Sequence, residues 1–385
     1  MSNLARKRVV GANQRSDFPD ISNFARRSAV DGPPPSFPAG TMTRQVHFPS
    51  GDRPHPKFLL VFGSARSGTS WIGKVFDSHP LTLYKHEPDR FFRDLPMAPW
   101  PSDAEKFAPA ILRFFSELPL LTQTHVAGSL PVFAKKYRSW LGMQVHRGTV
   151  LCAVAADSSR YVRFPILRCA REDNPKIRVV WKSIDSLGRL GLILRVVEDC
   201  RAIWITRHPC ACISSTLRGE AQKNFSSPVA ASEDFGIMKM FLEAASNNRG
   251  ISLEHLRAAH PVERMAWIWV LTNEKAFQET AKSDRCMQMR YEDVCTDPVG
   301  KSQEMFSFSR LPWAKETATF IEASTLRVAP SRFDRLTQGS SRFYGIFRDP
   351  VGAANKWKSE MKSEDIERVY RILRQSDLIR LYPES

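Results

Sequence analysis

The chain has no apolar run approaching the roughly 20 residues that cross a bilayer. Its longest candidate is Met265–Leu271, MAWIWVL. The basic N-terminus, MSNLARKRVV, lacks the hydrophobic stretch that would make it a secretory signal. A cytoplasmic protein is expected, touching a membrane at most peripherally. Cysteines are few, odd in number and scattered, at 152, 169, 200, 210, 212, 286 and 295. Cys210 and Cys212 have no second pair with which to make a zinc knuckle. That pattern predicts a reducing compartment and no structural metal. No internal repeat is present. Acidic charge is in short supply: 40 Asp and Glu stand against 56 Lys and Arg, a net +16. A field of that sign favours an anionic partner, whether nucleotide, polyanionic glycan, nucleic acid or acidic lipid, although net charge also serves solubility.

What is present begins with a division of the chain. Residues 1–56 are polar, basic and proline-rich (DGPPPSFPAG), which reads as a loosely ordered arm or tail. Residues 57–385 can bury a sizeable core. Three short apolar runs stand out, FLLVFG (58–63), IRVVWK (177–182) and RAIWIT (201–206), each followed by a polar break and a helix-like segment. RCMQMRY (285–291) reads as a fourth strand. Helical stretches are expected near 104–118, 128–146, 232–258 and 262–282, the last apolar nearly all round and hence buried. Strands alternating with helices predict a single large α/β domain: a P-loop-like central parallel sheet flanked by helices, with helical insertions. Ligands of such sheets bind beyond the carboxyl ends of the strands, which gathers Gly63–Ser70, Lys182 and Arg207 at one edge.

The loop GSARSGTS (63–70) has the order of a phosphate cradle, yet Thr69 stands where the P-loop pattern requires lysine. Glycines at 63 and 68 permit tight turning, and the amides around Ser67–Ser70 open a helix whose dipole favours an anion. Arg66 supplies a cation from inside the loop. The strand RAIWIT ends in Arg207, not in the aspartate that would help hold Mg²⁺ in an NTPase. Two strand ends carrying arginine suit two phosphate groups and no metal; an ordinary strand–helix turn is the plainer alternative.

These motifs, in this order, resemble the PAPS-dependent sulfotransferases, which move a sulfuryl group from 3′-phosphoadenosine 5′-phosphosulfate to an acceptor. The resemblance covers most of 57–385. SARSGTSW is similar to the family's 5′-phosphosulfate loop and VFDSHP to the segment after it. ITRHPCACISS resembles the 3′-phosphate motif, while MRYEDVCTDP (289–298) and YGIFRDPVGAANKWKSEM (344–361) resemble later landmarks. The likeness implies that Arg66, Ser67, Gly68, Thr69, Ser70 and Trp71 contact the donor, with Trp71 stacking on adenine or serving only as a first-turn core aromatic. It implies that Arg207 and Ser215 hold the 3′-phosphate, with Ser214 one position away, and that Lys356 also contacts the donor. Glu87, 21 residues after Arg66, matches the catalytic glutamate of tyrosylprotein-type members. Lys182, 25 residues before Arg207, and Ser341, 15 before Lys356, match their assisting residues. His208 and Cys210 depart from the commoner residues of the 3′ motif.

Each assignment has a plainer rival. Glu87 could be a surface carboxylate, with His86 the base, since a general base must lie within reach and have a pKa lifted toward working pH. Lys182 could snorkel to solvent. Ser183 and Asp185 suit a helix cap, and His79 a turn. Asp157 and Ser158 could reach the acceptor or merely form a loop. FAKKYRSW (133–140) suits either a polyanion contact or a solvated amphipathic helix, and 363–375 an amphipathic packing helix. The expected activity is metal-free in-line sulfuryl transfer with PAPS as donor and PAP as product. Glu87, Arg66, Lys182 and Ser341 would be catalytic, and a glycan or glycolipid hydroxyl the acceptor; no nucleic acid is expected. A P-loop kinase or NTPase, or a non-catalytic polyanion binder, are the alternatives.

Overall fold

The computed structural model describes residues 56–91, 96–159, 166, 175–225, 229–245, 249–325 and 349–384. The N-terminal arm and Ser341 lie outside the described residues. Five parallel strands form one sheet in the order β2-β3-β1-β4-β5. They are β1 (Phe58–Gly63), β2 (Thr82–His86), β3 (Arg178–Ser183), β4 (Cys200–Thr206) and β5 (Cys286–Arg290). The helices before β5 are α1 (Thr69–Asp77), α2 (Ala104–Glu117), α3 (Thr124–Ala127), α4 (Trp140–Ser159), α5 (Leu190–Val196), α6 (Pro209–Ala221), α7 (Phe235–Glu243), α8 (Leu253–Ala258) and α9 (Pro261–Thr280). After β5 come α10 (Tyr291–Thr296), α11 (Pro298–Phe308), α12 (Lys315–Thr325), α13 (Pro350–Asn355), α14 (Trp357–Glu360) and α15 (Ser363–Leu373). Among the described residues, no helix is long and apolar enough to cross a membrane.

The sheet is buried on both faces, which is why its central strands read as unbroken apolar runs rather than alternating ones. Side chains still alternate. Phe58, Leu60 and Phe62 enter one core with Trp181 and Trp204, beneath residues of α2, α5, α6, α7 and α9. Leu59 and Val61 enter the other with Val180, Ile203 and Ile205, beneath residues of α1, α10, α11 and α12. Lys182 follows Val180 by two and falls on the α1 face. Gly73 of α1 makes room there: a Cβ on it would lie 2.8 Å from the Tyr84 hydroxyl and 3.2 Å from the Lys182 stem.

Several expectations are corrected. Strand β2 was not singled out from the sequence; it is a short edge strand carrying Lys85 and His86. The helix expected at 128–146 begins instead at Trp140 and runs to Ser159, so Asp157 and Ser158 lie in its last turn and not in a loop. The stretch 232–258 is two helices, the second opened by the Ser252 side chain accepting from the His255 amide. FAKKYRSW is not a solvated helix. Lys135 within it is buried and donates to Asp77 Oδ1 (3.0 Å), the Asp77 carbonyl and the His79 carbonyl (3.2 Å) at the end of α1. A cation there satisfies carbonyls that a helix C-terminus leaves open. Lys74 donates to the other Asp77 oxygen at 2.7 Å. Burial lowers both ammonium pKa values; it would raise that of Asp77, but the two lysines outweigh it and hold the carboxyl below its ordinary value.

Candidate active site

The loop between β1 and α1 is shaped by two residues with positive φ, Arg66 (67°) and Gly68 (93°). Gly68 is the N-cap of α1 and no side chain caps that helix; the Trp71 amide bonds the Gly68 carbonyl at 3.1 Å, which leaves the Thr69 and Ser70 amides for an anion. The ring of Tyr291, from the MRYEDV segment, lies over Gly68; a Cβ there would sit 2.2 Å from it. The left-handed conformation at Arg66 is uncommon for a residue with a side chain and disfavoured by roughly 1–2 kcal/mol. Its carbonyl oxygen accepts from Arg207 Nη1 at 2.9 Å, while its own Nε donates to Ser215 Oγ at 3.0 Å. The arginines at the ends of β1 and β4 therefore meet on one loop.

Arg207 is further held by the Ala353 carbonyl (2.7 Å) and lies over the Tyr291 ring, 5.0 Å from its centroid. Its Nε is buried without a hydrogen-bond partner, as is Ser67 Oγ. Buried polar atoms ordinarily find partners. Two orphans around one cationic loop fit an anionic ligand such as a phosphorylated nucleotide. Ser215 faces Arg66, whereas Ser214 donates to Glu360 Oε2 at 2.7 Å. Glu360 also takes Lys356 (3.0 Å) and Arg218, which ties the Lys356 ammonium to the Ser214 side of α6. Trp71 lines the cavity and donates from its indole to Ser324 Oγ at 3.0 Å.

His208, which departs from the 3′ motif, serves as the N-cap of the helix that follows it. Its Nδ1 accepts from the Cys210 amide (3.2 Å) and caps α6, and its ring stacks on Trp357 at 4.3 Å. Burial, then the positive charge of Lys358, pushes its pKa down to about 3, so the ring is neutral. Its amide donates to Glu292 Oε1 at 2.9 Å. Tyr291 and Glu292 are thus site-shaping residues to which the sequence reading assigned no role, although the motif that contains them was in view. Cys210 and Cys212 are buried thiols of α6 with pKa values raised by burial to about 12.

At the other end of the sheet edge, Glu87 follows β2 with φ 46°. Its amide donates to the Lys182 carbonyl at 2.7 Å, extending the β2–β3 ladder by one bond. Lys182 Nζ reaches Glu87 Oε1 at 2.5 Å, and both residues are buried. Snorkelling to solvent is thereby replaced by an ion pair. Glu87 Oε2 faces His125 Nε2 of α3 at 3.5 Å, and His86 Nε2 stands 3.9 Å from Oε1. His86 shares a hydrogen bond with the Tyr84 hydroxyl at 3.0 Å. Burial, reinforced by the Lys182 charge, pushes its pKa well below the ordinary 6.5, which leaves a neutral, weakly basic ring. His86, Glu87 and His125 offer ligand atoms within 4.8 Å of one another, the geometry of a metal trio. The Lys182 ammonium already engages the carboxylate, however, and adds charge that opposes a cation. His125 is a site residue that the sequence reading did not find; no motif marks it.

One cavity of about 1160 Å³ joins the two ends. Its lining includes Arg66, Gly68, Thr69, Ser70 and Arg207 at one end and Glu87, His125 and Lys182 at the other. Single-ligand pockets run to about 1,000 Å³, so the volume suits two reactants.

Residues 57–315 match the model of the Sulfotransferase family. Carbohydrate sulfotransferase 3 of Tetronarce californica is 22% identical over 332 residues, covering 78% of this chain and 67% of that protein. Among solved structures, the sulfotransferase domain from the curacin biosynthetic pathway aligns over 83% of this chain and 97% of its own, at 15% identity and a TM-score of 0.41. Mouse sulfotransferase SULT7A1, solved with PAP, aligns over 84% and 87%, at 12% identity and a TM-score of 0.40.

Proposed function

This chain belongs to the sulfotransferase family, and on that premise we propose that it transfers a sulfuryl group from PAPS to a hydroxyl of a glycan or glycolipid, with Glu87 as general base. The observation that carries the nucleotide half is the Arg207–Arg66–Ser215 chain: a guanidinium from the end of β4 bonded to the loop after β1, with Arg207 Nε and Ser67 Oγ buried and unpartnered beside it. Arg207 and Ser215 would grip the 3′-phosphate, and the open amides of α1 with Ser67, Thr69 and Ser70 the 5′ end. Trp71 and Tyr291 offer aromatic surface for the base.

The donor supplies the sulfuryl group. Glu87 would accept the acceptor's proton, and Lys182, held against Glu87 Oε1, would balance the negative charge that gathers nearby. Arg66 would stabilise the oxygens of the 5′ end. Side-chain cations supply the charge that a metal provides in phosphoryl-transfer enzymes, so the protein's work is mainly positioning and electrostatics. His86, neutral and tethered to Tyr84, is the weaker candidate for the base.

Thermal-shift titration with PAP, ADP and ATP, with and without Mg²⁺, tests the donor. PAP is expected to stabilise the protein at the lowest concentration without metal. Preference for ATP with Mg²⁺ overturns the reading in favour of a kinase or NTPase.

A further inference from the structure

The cavity is chemically lopsided. Around the loop after β1 and the end of β4 it presents arginine, hydroxyls and open amides. Its lining also takes in residues of α6, α7 and α9, and there the wall changes. Ile213 and Thr216 of α6, Ile237 and Phe241 of α7, and Met265 and Ile268 of α9 face the same space. Five of these six are apolar; Trp269 and Thr272 of α9 line the same cavity and add an indole N–H and a hydroxyl. Charged groups return only toward the rim, where Lys223 is exposed and Glu220 and Asp234 are half-buried. Val229 at this rim keeps 49% of its surface exposed.

We infer that the acceptor presents its hydroxyl on a hydrocarbon-bearing body, an alkyl- or acyl-substituted amphiphile and not a free polysaccharide, and that the hydrocarbon lies in the limb between α6, α7 and α9. The inference rests on the sulfotransferase reading of the same cavity and narrows it. The nucleotide's phosphates have their complement at the other end, and nothing anionic is served by isoleucine, phenylalanine and methionine. A polysaccharide threaded here would bury most of its hydroxyls against groups that cannot bond them, because Thr216, Thr272 and the Trp269 indole are few against the apolar wall, and that is costly. A hydrocarbon gains by leaving water along the same wall. The polar rim, with charges of both signs, suits a sugar or other headgroup held at the entrance.

The test uses the full chain, with and without PAP, and two probes that differ only in hydrocarbon: n-octyl-β-D-glucoside below its micelle concentration and methyl-β-D-glucoside. Binding is measured by calorimetry. The octyl compound is expected to bind at least about tenfold more tightly, since two buried methylenes already account for that factor. In Ile237→Asp and in the solvent-accessible Val229→Asp this preference should fall at least about fivefold, while PAP affinity stays within about twofold of wild type. Equal affinity for the two glucosides, or an octyl preference unchanged in both variants, overturns the inference even where PAP binds. Failure of PAP to bind removes the nucleotide reading instead, and the glucoside comparison on the protein alone still decides the limb.

Discussion

Removing the Arg207 guanidinium should collapse the protein's ability to distinguish PAP from AMP, two nucleotides that differ only in the 3′-phosphate. Arg207 already makes two hydrogen bonds, to the Arg66 and Ala353 carbonyls. Neutral acceptors fix the group without cancelling its charge, and Nε remains buried without a partner. A hydrogen bond to a charged group contributes about 1.5–3 kcal/mol net. One or two such bonds to a phosphate, partly screened, come to about 2–4 kcal/mol, or roughly 30- to 1000-fold in affinity. In Arg207→Ala, calorimetry should show PAP weakened by that factor and AMP by less than about threefold. The same substitution strands two carbonyls, each costing about 1–3 kcal/mol if left unpaired, so melting temperature must be followed in parallel. Arg207→Lys keeps the charge but cannot reach both carbonyls and a phosphate, and should fall between. If PAP and AMP weaken by one common factor, Arg207 merely shapes the loop through Arg66, and the 3′-phosphate assignment is wrong.

Three further outcomes follow from the geometry. Glu87→Gln should leave PAP affinity near wild type and lower turnover by about 10²–10⁴, measured with radiolabelled PAPS on the sulfated product; near-normal turnover would move the base to His125 or His86. Gly68→Ala should destabilise the protein by about 2–4 kcal/mol, because the φ of 93° disfavours a side chain and the new Cβ would lie 2.2 Å from Tyr291; urea midpoints unchanged from wild type would show that the loop is not held as described. His208 has a folded pKa near 3 and an unfolded one near 6.5, so the unfolded chain binds the extra proton and stability falls as pH drops from about 6.5 toward 3. His208→Asn, which retains a capping oxygen, should flatten that slope in urea titrations at pH 7.5, 6 and 5; an unaltered slope would place the effect on other groups.

How much of this was legible in the sequence depends on how local each cause is. Strands β1, β3 and β4 were legible because a doubly covered parallel sheet writes itself as uninterrupted apolar runs, whereas β5, half-buried at the sheet edge, is the interrupted run CMQMR. β2 was not, because TLYKH carries a lysine and a histidine whose burial depends on distant partners: Lys85 donates to the Leu121 carbonyl, and His86 meets Tyr84 and Glu87. FAKKYRSW reads as a solvated face for the same reason. Nothing within the segment reveals that Lys135 will be spent on Asp77, 58 residues earlier. Arg66, Lys182 and Arg207 were legible as a group because strand ends of a parallel sheet share one edge. His125 was not, since it arrives on a four-residue helix with no pattern around it. The register of Ser214 and Ser215 likewise needed the fold, because both sit on buried positions of α6 and only their partners, Glu360 and Arg66, tell them apart.

The strain at the site follows the same logic of distant support. Arg66 and Glu87 close neighbouring turns in the left-handed region, each at a cost of roughly 1–2 kcal/mol. The Arg66 turn has one bond of its own, from the Ser67 amide to the Ser64 carbonyl at 3.1 Å, and further support comes from distant strands. Arg66 is held through its carbonyl by Arg207 of β4, and Glu87 through its amide by Lys182 of β3. Each strained residue therefore leans on a residue at the end of another strand, Arg66 on the Arg207 guanidinium and Glu87 on the Lys182 backbone, and each in turn helps to fix that residue's cation, through the Arg66 carbonyl and the Glu87 carboxylate. Such reciprocity preorganises the cations facing the cavity, so less reorganisation is left to be met by the ligand. It also means that a change at Arg207 reaches Arg66 directly, through a 2.9 Å bond. The AMP control is indispensable for that reason: it separates a lost phosphate contact from a relaxed Arg66.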